Sequence, residues 1–518
     1  MSAKSLKSTG VVGANTLLSR VLGFVRDVVF ARFFGAGFGM DVFVIAFQIP
    51  NYLRRLFGEG AFAQAFVPVL GEYHTRRDAE SVKELANRVA GTLGGILILV
   101  TIAGMLAAPL LIRLFAPLFE PDKHDLAVSM LRITFPYLFF ISLTAFAAGI
   151  LNTYRRFAVP AFTPVLLNVA LIASAVWWAP RFEQPIMALA WGVFAAGVIQ
   201  LLFQLPFLKQ IGMLPRPRWG WSDSGVKKIL RLMGPALFGA SVAQINLIID
   251  RVIASGLGDG KISWLYYSDR LMEFPLGVFA IAIATVILPG LSRQHAAEDP
   301  AGFSRTLDWA LRFALIIAVP AAVGLFVLAA PTIATLFQYG EFSVHDTTMS
   351  AWSLKAYALG LLGLSLVKIL LPGYFARQDT RSPVRFGVIA LVVNIVLNVV
   401  LVWSLLKVGF EATHTGLALA TGIASVVNAW LLWRGLKRAG VYRAASGWWG
   451  LILRAVTANV LMAIVLLALG GTVDWWSEAE WQMRALRLAG CVGAGAAVYF
   501  SALWLLGVRT AVFREHTI

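Results

Sequence analysis

Long apolar stretches alternate with short polar ones from one end of the chain to the other. Most of these stretches reach the roughly 20 residues that an α-helix needs to cross the hydrocarbon core of a bilayer. They are continuous and do not alternate with a period of two, which disfavours a transmembrane β-barrel. The pattern therefore predicts an all-α, polytopic membrane protein.

We predict fourteen transmembrane helices, which are joined by short loops and leave no room for an extramembrane domain. Their approximate ranges are 9–33, 41–72, 89–112, 127–152, 160–180, 185–208, 227–257, 262–291, 306–330, 351–376, 384–405, 413–436, 449–470 and 486–507.

Basic residues separate the predicted loops into two alternating sets. One set is rich in lysine and arginine, as at Arg76, Arg77, Arg155 and Arg156, whereas the other mixes a few basic residues with more carboxylates. The positive-inside rule places the basic set in the cytoplasm. Both termini are then cytoplasmic, which requires the even number of spans that we predict.

Composition narrows the possible functions. Of the 518 residues, 59% are hydrophobic and 14% charged, and the net charge is +17. In a soluble protein this charge would suggest nucleic acid, but cytoplasmic loops next to anionic lipid explain it here, so we expect no nucleic-acid partner. The single cysteine, Cys491, excludes an intramolecular disulfide, and the 6 scattered histidines form no metal-binding motif.

The first and middle parts of the chain resemble each other. VRDVVFARFFGAG at 25–37 is similar to IDRVIASGLGDG at 249–260, and Pro50 has a counterpart in Pro275. The offset stays between about 221 and 225 residues, which chance similarity between apolar helices does not readily explain. Two parallel copies of six spans imply two lobes related by a pseudo-two-fold axis, with a site between them. We therefore predict an N-terminal six-helix lobe at 1–215, a C-terminal six-helix lobe at 216–440, and two additional helices at 441–518.

The first predicted span carries charges that a lipid-facing helix would not tolerate, since each charge at mid-bilayer costs about 2.5–3.5 kcal/mol. Arg32 lies near the outer end and can reach the headgroups, whereas Arg20 and Arg26 lie deeper, where we expect a water-filled cavity. Asp27 lies on nearly the same face as Arg20 and can partly neutralise it. Because Arg26 and Asp27 are adjacent and point to different faces, we do not expect a local ion pair between them.

Other spans continue this pattern. The second span contains Asp41, Arg54 and Glu59, and Pro50 is expected to break its hydrogen bonds near Asn51. Discontinuous helices of this kind expose polar backbone at transporter sites. The seventh and eighth spans supply further charges, for which ion pairs that fix helix packing are the alternative interpretation; these are Asp250, Arg251, Asp269 and Arg270.

The deep charges of the N-terminal lobe are mainly positive, which indicates an anionic ligand. A guanidinium group suits phosphate oxygens because it can donate two parallel hydrogen bonds, and it stays charged when partly desolvated. A soluble anion and a lipid-linked diphosphate both satisfy this pattern.

Three stretches carry a family resemblance: LLSRVLGFVRDVVFARFFGAG at 17–37, MDVFVIAFQIPNYLRRLFGEGAFAQAFVPVL at 40–70 and YYSDRLMEFPLGVFAIAIATVILP at 266–289. They resemble the MurJ/MviN lipid II flippases of the multidrug/oligosaccharidyl-lipid/polysaccharide exporter superfamily, and the resemblance covers the whole chain. It implies a transporter, not an enzyme. Its substrate would be lipid II, the undecaprenyl-pyrophosphate-linked disaccharide pentapeptide, moved from the inner to the outer leaflet of the bacterial cytoplasmic membrane for peptidoglycan synthesis.

The resemblance also implies how the substrate is bound. The two lobes are expected to alternate access to a central cavity that holds the headgroup, and the additional helix pair to form a groove for the polyprenyl tail. Membrane lipids and the cell-wall synthesis machinery are the other partners to expect. The positions that correspond to functional residues of the family are Arg20, Arg26, Arg54, Arg270, Ser19, Asp41 and Glu59.

A sodium site has been associated with the C-terminal lobe of this family, and the resemblance implies no other cofactor. The candidate oxygen ligands are Asp250, Asn394, Asn398 and Thr421. Asn394 and Asn398 share a helix face, so ordinary hydrogen bonding between helices is the alternative for them.

Three other functions compete with this interpretation of the sequence. The first is an exporter of drugs or of another lipid-linked oligosaccharide, although a carrier of cations would need carboxylates in its cavity. The second is a membrane enzyme acting on polyprenyl phosphates, but Glu72, Asp78, Glu80 and Glu84 have the spacing of a solvated loop. The third is a scaffold for cell-wall enzymes, which the broken, charged helices disfavour.

Overall fold

The structure, a computed structural model, describes residues 3–55 and 62–508, with side chains in these ranges apart from those of 3–10, 235–247 and 473. All regular secondary structure in these ranges is helical. Among them, 11 helical segments are long and apolar enough to cross a membrane, as judged from length and composition. The prediction of an all-α, polytopic membrane protein is confirmed, whereas the count of fourteen spans stays a prediction.

The chain forms two compact units, Met1–Ser263 and Trp264–Ile518. The helices of the first unit are α1 Ala3–Phe34, α2 Phe38–Arg54, α3 Phe62–Arg76, α4 Ala79–Leu106, α5 Ala108–Phe115, α6 Pro121–Thr134, α7 Tyr137–Thr153, α8 Ala158–Ala173, α9 Met187–Gln210 and α10 Ser224–Ala254, and α11 Lys261–Pro275 begins there. Those of the second unit are α12 Ile281–Ala296, α13 Pro300–Val327, α14 Ala329–Phe337, α15 Val344–Phe375, α16 Arg381–Val408, α17 Thr415–Arg438, α18 Trp448–Gly470, α19 Val473–Glu478 and α20 Trp481–Leu505.

Several helix starts outside the apolar segments have side-chain caps. The Asp78 carboxylate accepts hydrogen bonds from the backbone N–H and the hydroxyl of Ser81, and these bonds lower the pKa of Asp78. Ser343 and Asp346 form a capping box at the start of α15. Each cap satisfies backbone donors that the first helical turn leaves without a partner.

Helix α2 is not interrupted at Pro50, contrary to our prediction, and a neighbouring hydroxyl replaces the donor that the proline lacks. Helix α2 continues through Pro50 to Arg54. The carbonyl of Ala46, which a normal residue 50 would bond, accepts instead from the hydroxyl of Thr134 at 3.0 Å. Inside a bilayer such a replacement lets a helix keep a proline without an unsatisfied carbonyl.

A hydroxyl also replaces a missing backbone donor in the second unit, where Pro320 lies inside α13. The carbonyl of Ile316, four residues earlier, accepts from the hydroxyl of Tyr499 at 2.8 Å. Tyr499 is on α20, so this bond ties the last long helix to α13.

The core of the first unit extends into the residues that we assigned to the second predicted lobe. Val226, Ile229 and Met233 of α10 are buried in one cluster with Phe66 and Phe146. The first compact unit therefore runs to Ser263. The predicted lobe boundary at 215/216 and the pseudo-two-fold relationship of the lobes stay predictions.

The two additional C-terminal helices correspond to α18 and α20, which pack against α13 in a cluster that includes Ile316, Leu466 and Tyr499. The start of α18 is held at Asp308, whose carboxylate accepts from the Tyr442 hydroxyl at 2.8 Å and from Trp448 Nε1 at 2.7 Å. Burial is the main cause of the raised pKa of Tyr442, and the hydrogen bond to Asp308 raises this pKa further.

Candidate substrate-binding site

Arg26 forms the centre of a buried charged cluster on α1. Its Nε and Nη2 donate to Oδ1 of Asp27 at 3.0 and 2.7 Å, and its Nη1 donates to Oδ1 of Asn168 at 3.1 Å. The guanidinium carbon lies 5.6 Å from the centre of the Phe30 ring. The prediction that Arg26 and Asp27 do not pair was therefore wrong, because the long arginine side chain bends back to the neighbouring carboxylate.

Burial of Arg26 also differs from our expectation that it faces water. Only 8% of Arg26 and 2% of Asp27 is exposed. A charge with so little solvent needs a close counter-ion and further hydrogen bonds, and Asp27 and Asn168 supply them. Arg26 is thus held by the protein in this conformation.

Asn168 is a site residue that our sequence reasoning missed. It receives the hydrogen bond from Arg26, and its own Nδ2 donates to the backbone carbonyl of Ser19 at 3.0 Å. It therefore joins α8 to α1 and brings the predicted residues Ser19 and Arg26 into one cluster. The sequence feature that could have identified Asn168 is its amide in an otherwise apolar span, because such an amide often forms hydrogen bonds between helices.

The other arginines that we predicted for the site in the first unit are more accessible. Arg20 and Arg32 are exposed on α1. Arg54 is half-buried at the end of α2, and its Nε donates to Oδ1 of Asn51 at 2.9 Å. Glu59, which we predicted to contribute to this site, lies outside the described residues.

Asp41 is fully buried in a polar cluster at the start of α2. Its carboxylate accepts from the backbone N–H of Gly260 at 2.8 Å and from the N–H and hydroxyl of Ser263 at 2.8 and 2.6 Å. Lys123 Nζ lies 3.2 Å from Asp41 Oδ2 and 2.5 Å from Asp259 Oδ1. These donors satisfy the Asp41 carboxylate from within the protein, so its position fits a residue that fastens α2 to α6 and α11. Sequence reasoning missed Lys123 and Ser263 as its partners.

Arg270 lies in the second unit, on α11. Its Nη1 donates to Oε2 of Glu273 at 3.1 Å, and its guanidinium carbon is 5.1 Å from the centre of the Tyr266 ring. The side chain of Arg270 is 35% exposed. The ion pair with Glu273 spans three residues of one helix, so it is a local contact.

The candidate sodium ligands divide between the units. Asn394, Asn398 and Thr421 form a hydrogen-bonded chain in the second unit, with Nδ2 of Asn398 donating to Oδ1 of Asn394 at 2.9 Å and Nδ2 of Asn394 donating to Oγ1 of Thr421 at 3.3 Å. Asp250 belongs to the first unit. Neutral oxygens suit a hard cation, but here they bond one another, which also fits the alternative of hydrogen bonding between α16 and α17.

Comparison with known proteins decides the family. The family described as lipid II flippase MurJ matches residues 30–483. The chain belongs to this family. The resemblance that we inferred from three stretches is thereby confirmed.

Curated members of the MurJ family match over nearly their whole length. A probable lipid II flippase MurJ of Vibrio cholerae is 49% identical over 98% of this chain and 97% of its own. A lipid II flippase MurJ of Burkholderia cenocepacia is 42% identical over 97% of this chain and 98% of its own. Flippases are transporters, so the prediction that this protein is not an enzyme is confirmed.

Solved structures agree with this assignment. A structure described as lipid II flippase MurJ in an inward closed conformation matches with a TM-score of 0.79, at 27% identity, and covers 97% of this chain and 99% of that one. A multidrug resistance transporter of the MATE family in an inward-facing conformation matches with a TM-score of 0.64 at 16% identity, covering 83% of this chain and 98% of that one. The second likeness concerns the fold alone.

Proposed function

We propose that this protein carries lipid II from the inner to the outer leaflet of the bacterial cytoplasmic membrane by alternating access. The observation that carries the proposal is membership of the MurJ family over nearly the whole chain. The product would supply the disaccharide pentapeptide units from which peptidoglycan is assembled. The positive-inside pattern supports a cytoplasmic location for both termini, and α1, α2 with α3, and α10 would complete the fourteen spans.

Accessible arginines would bind the diphosphate of lipid II. Arg20 is exposed, Arg54 is half-buried, and the Arg270 side chain is 35% exposed, and each would donate to an anionic oxygen. Guanidinium–phosphate hydrogen bonds are charge-assisted and often paired, so they favour a diphosphate over a neutral headgroup. Ser19 would take part through the Arg26 cluster, in which its backbone carbonyl accepts from Asn168.

Arg26 would act differently from the other arginines. Its guanidinium already bonds Asp27 and Asn168, so it would fix the relative position of α1 and α8 in this conformation. A diphosphate could recruit Arg26 only by replacing Asp27 as its counter-ion. Such an exchange would leave the Asp27 carboxylate without its counter-ion, so it would require a change in the surroundings of Asp27 and would thereby couple substrate binding to a change in the contact between these two helices.

The Asp41 cluster would hold one conformation of the transport cycle. It fastens the first turns of α2, α6 and α11 through a buried carboxylate. Release of these bonds would free the start of α11, the helix that carries Arg270. Bistable contacts of this kind allow a transporter to switch between discrete states.

The additional helices α18 and α20 would receive the polyprenyl tail. Outward residues of α18, such as Leu453, Val460 and Leu467, and Leu486 of α20 are exposed and apolar. A long polyprenyl chain is excluded from polar surroundings by the hydrophobic effect and must stay against hydrocarbon. A sodium ion bound by oxygens of Asn394, Asn398, Thr421 and Asp250 remains part of the proposal, and no step depends on it.

Translocation of fluorescently labelled lipid II in proteoliposomes tests the proposed function. The experiment compares the wild type with Arg20→Ala and with the matched control Arg32→Ala, since both residues are exposed on α1. We expect labelled lipid II to reach the outer leaflet with the wild type and the control, and at least tenfold more slowly with Arg20→Ala. Absence of wild-type translocation under all imposed gradients would contradict the function, and equal rates for the two variants would contradict the role of Arg20.

A further inference from the structure

The end of α17 carries a cavity that belongs to none of the site residues described above. Its volume is about 350 Å³, and it is lined by Trp430, Trp433, Arg434, Lys437 and Arg438. Two tryptophans and three cations thus line one small surface in the last three turns of a single helix.

Two of the three cations of this cavity lie over the tryptophan rings. The guanidinium carbon of Arg434 lies 4.9 Å from the centre of the Trp430 ring, and Nζ of Lys437 lies 5.1 Å from the centre of the Trp433 ring. Such cation–π contacts position a charge without neutralising it. Because both side chains are already ordered, an incoming anion loses less conformational freedom when it binds them.

The charge of the cavity is not balanced by carboxylates. Within the part of the second unit that the structure describes, the ion pairs join Arg270 to Glu273, Arg312 to Asp308 and His345 to Glu411. None of these pairs involves the cations of the cavity. Three positive charges therefore remain available to an anionic ligand.

Cations at the C-terminal end of a helix also interact favourably with the helix dipole, and this effect alone could explain their presence. It does not explain the apolar stripe that leads away from the cavity. Ile423, Val426 and Trp430 follow one another at intervals of three and four residues, and they are 37%, 49% and 48% exposed. A ligand that matches both features has an anionic head and an apolar tail.

We propose that this cavity binds the headgroup of an anionic phospholipid. The phosphate would lie against Arg434, Lys437 and Arg438, with the tryptophans at the level of the membrane interface and an acyl chain along the stripe of Ile423 and Val426. The loop after α17 belongs to the basic set of loops, so the lipid would come from the cytoplasmic leaflet, where anionic headgroups attract such clusters. This inference concerns a different site from that of the proposed transport function and does not depend on it.

Native mass spectrometry of the full-length protein tests the proposal, by titration with phosphatidylglycerol or phosphatidylcholine. The test variant is Arg434→Gln with Lys437→Gln and Arg438→Gln. The control is Arg293→Gln with Arg305→Gln and Arg381→Gln, which removes the same charge from exposed residues outside the cavity. We expect the wild type and the control to bind one phosphatidylglycerol at least tenfold more tightly than phosphatidylcholine, and the test variant to lose this preference.

Three results would overturn the proposal. The test variant could keep the preference, or the control could lose it to the same extent, which would show a general effect of net charge. Inorganic phosphate could displace phosphatidylglycerol at equal concentration, which would show a site for free phosphate. If thermal melting shows that the triple variant does not fold, Arg434→Gln and Lys437→Gln are tested singly. Each should weaken phosphatidylglycerol binding at least threefold, and unchanged binding in both would contradict the proposal.

Discussion

Arg26 and Asp27 are consecutive in the chain and nevertheless form a buried ion pair, with 2.7 Å between Nη2 and Oδ1. Helical neighbours diverge by about 100°, so the pair depends on the length of the arginine side chain and on Asn168, which bonds the same guanidinium from α8. The pair carries no net charge, and it therefore lets a hydrophobic helix bury an arginine.

This pair predicts that Arg26 and Arg54 differ in their effect on stability. Arg26→Ala should lower the free energy of unfolding by about 3–5 kcal/mol, because it leaves the Asp27 carboxylate buried without its counter-ion. Arg54→Ala removes a half-buried side chain and should change stability by less than about 1 kcal/mol. The measurement is the thermal melting of purified protein, together with the amount of each variant in the membrane.

A double variant provides the control. Arg26→Met combined with Asp27→Asn removes both charges and should be more stable than either single variant. If the two single effects simply add, the ion pair does not exist in solution.

Tyr499 and Pro320 should be energetically coupled, although they are on different helices. Tyr499→Phe removes the donor to the Ile316 carbonyl and should destabilise the protein by about 1–3 kcal/mol. In a Pro320→Ala background the new backbone N–H can bond Ile316, so the same change should cost less. A double-mutant cycle on the melting temperature measures the coupling, and an equal loss in both backgrounds would contradict it.

The Asp41 cluster should be sensitive to loss of the carboxylate charge. Asp41→Asn puts an amide donor next to N–H groups and Lys123, so we expect at least a tenfold loss of lipid II translocation and a lower melting temperature. Asp259→Asn is the matched control, because the Asp259 side chain is 64% exposed and the bond between Asp41 and Lys123 remains. Similar losses of translocation and of melting temperature in the two variants would show that burial of Asp41 does not cause them.

Membrane potential should assist outward transfer of the substrate. Moving one charge through the membrane yields about 2.3 kcal/mol per 100 mV, so a headgroup with roughly two negative charges gains about 4–5 kcal/mol per 100 mV when the inside is negative. This gain requires that the charges of the protein stay in place. Proteoliposomes with a potassium diffusion potential should translocate labelled lipid II faster than those without, and equal rates would contradict the expectation.

The sequence was sufficient to predict the class of fold, because membrane-length apolar segments leave little choice of secondary structure. The sequence also showed which helices carry charged residues, and the family resemblance identified the candidate functional residues among them. It did not predict the partners of these charges. Asn168 lies 142 residues from Arg26, and Ser263 lies 222 residues from Asp41, so no local pattern connects them.

The effect of Pro50 also depends on a partner that the sequence does not reveal. Pro50 removes a backbone donor wherever it occurs in a helix, and this much follows from its chemistry. Which group bonds the carbonyl left without its usual donor depends on the neighbouring helices, and here it is the hydroxyl of Thr134 on α6. Partners of this kind follow from the packing of helices that are distant in the chain.

The central claim is that accessible arginines recognise the diphosphate of the substrate. The most direct test measures the affinity of purified wild-type protein and Arg54→Ala for lipid II and for a polyprenyl-linked glycan without the diphosphate. The account predicts that Arg54→Ala weakens binding of lipid II at least tenfold and leaves binding of the uncharged glycan unchanged. An equal loss for both ligands, or no loss for lipid II, would contradict it.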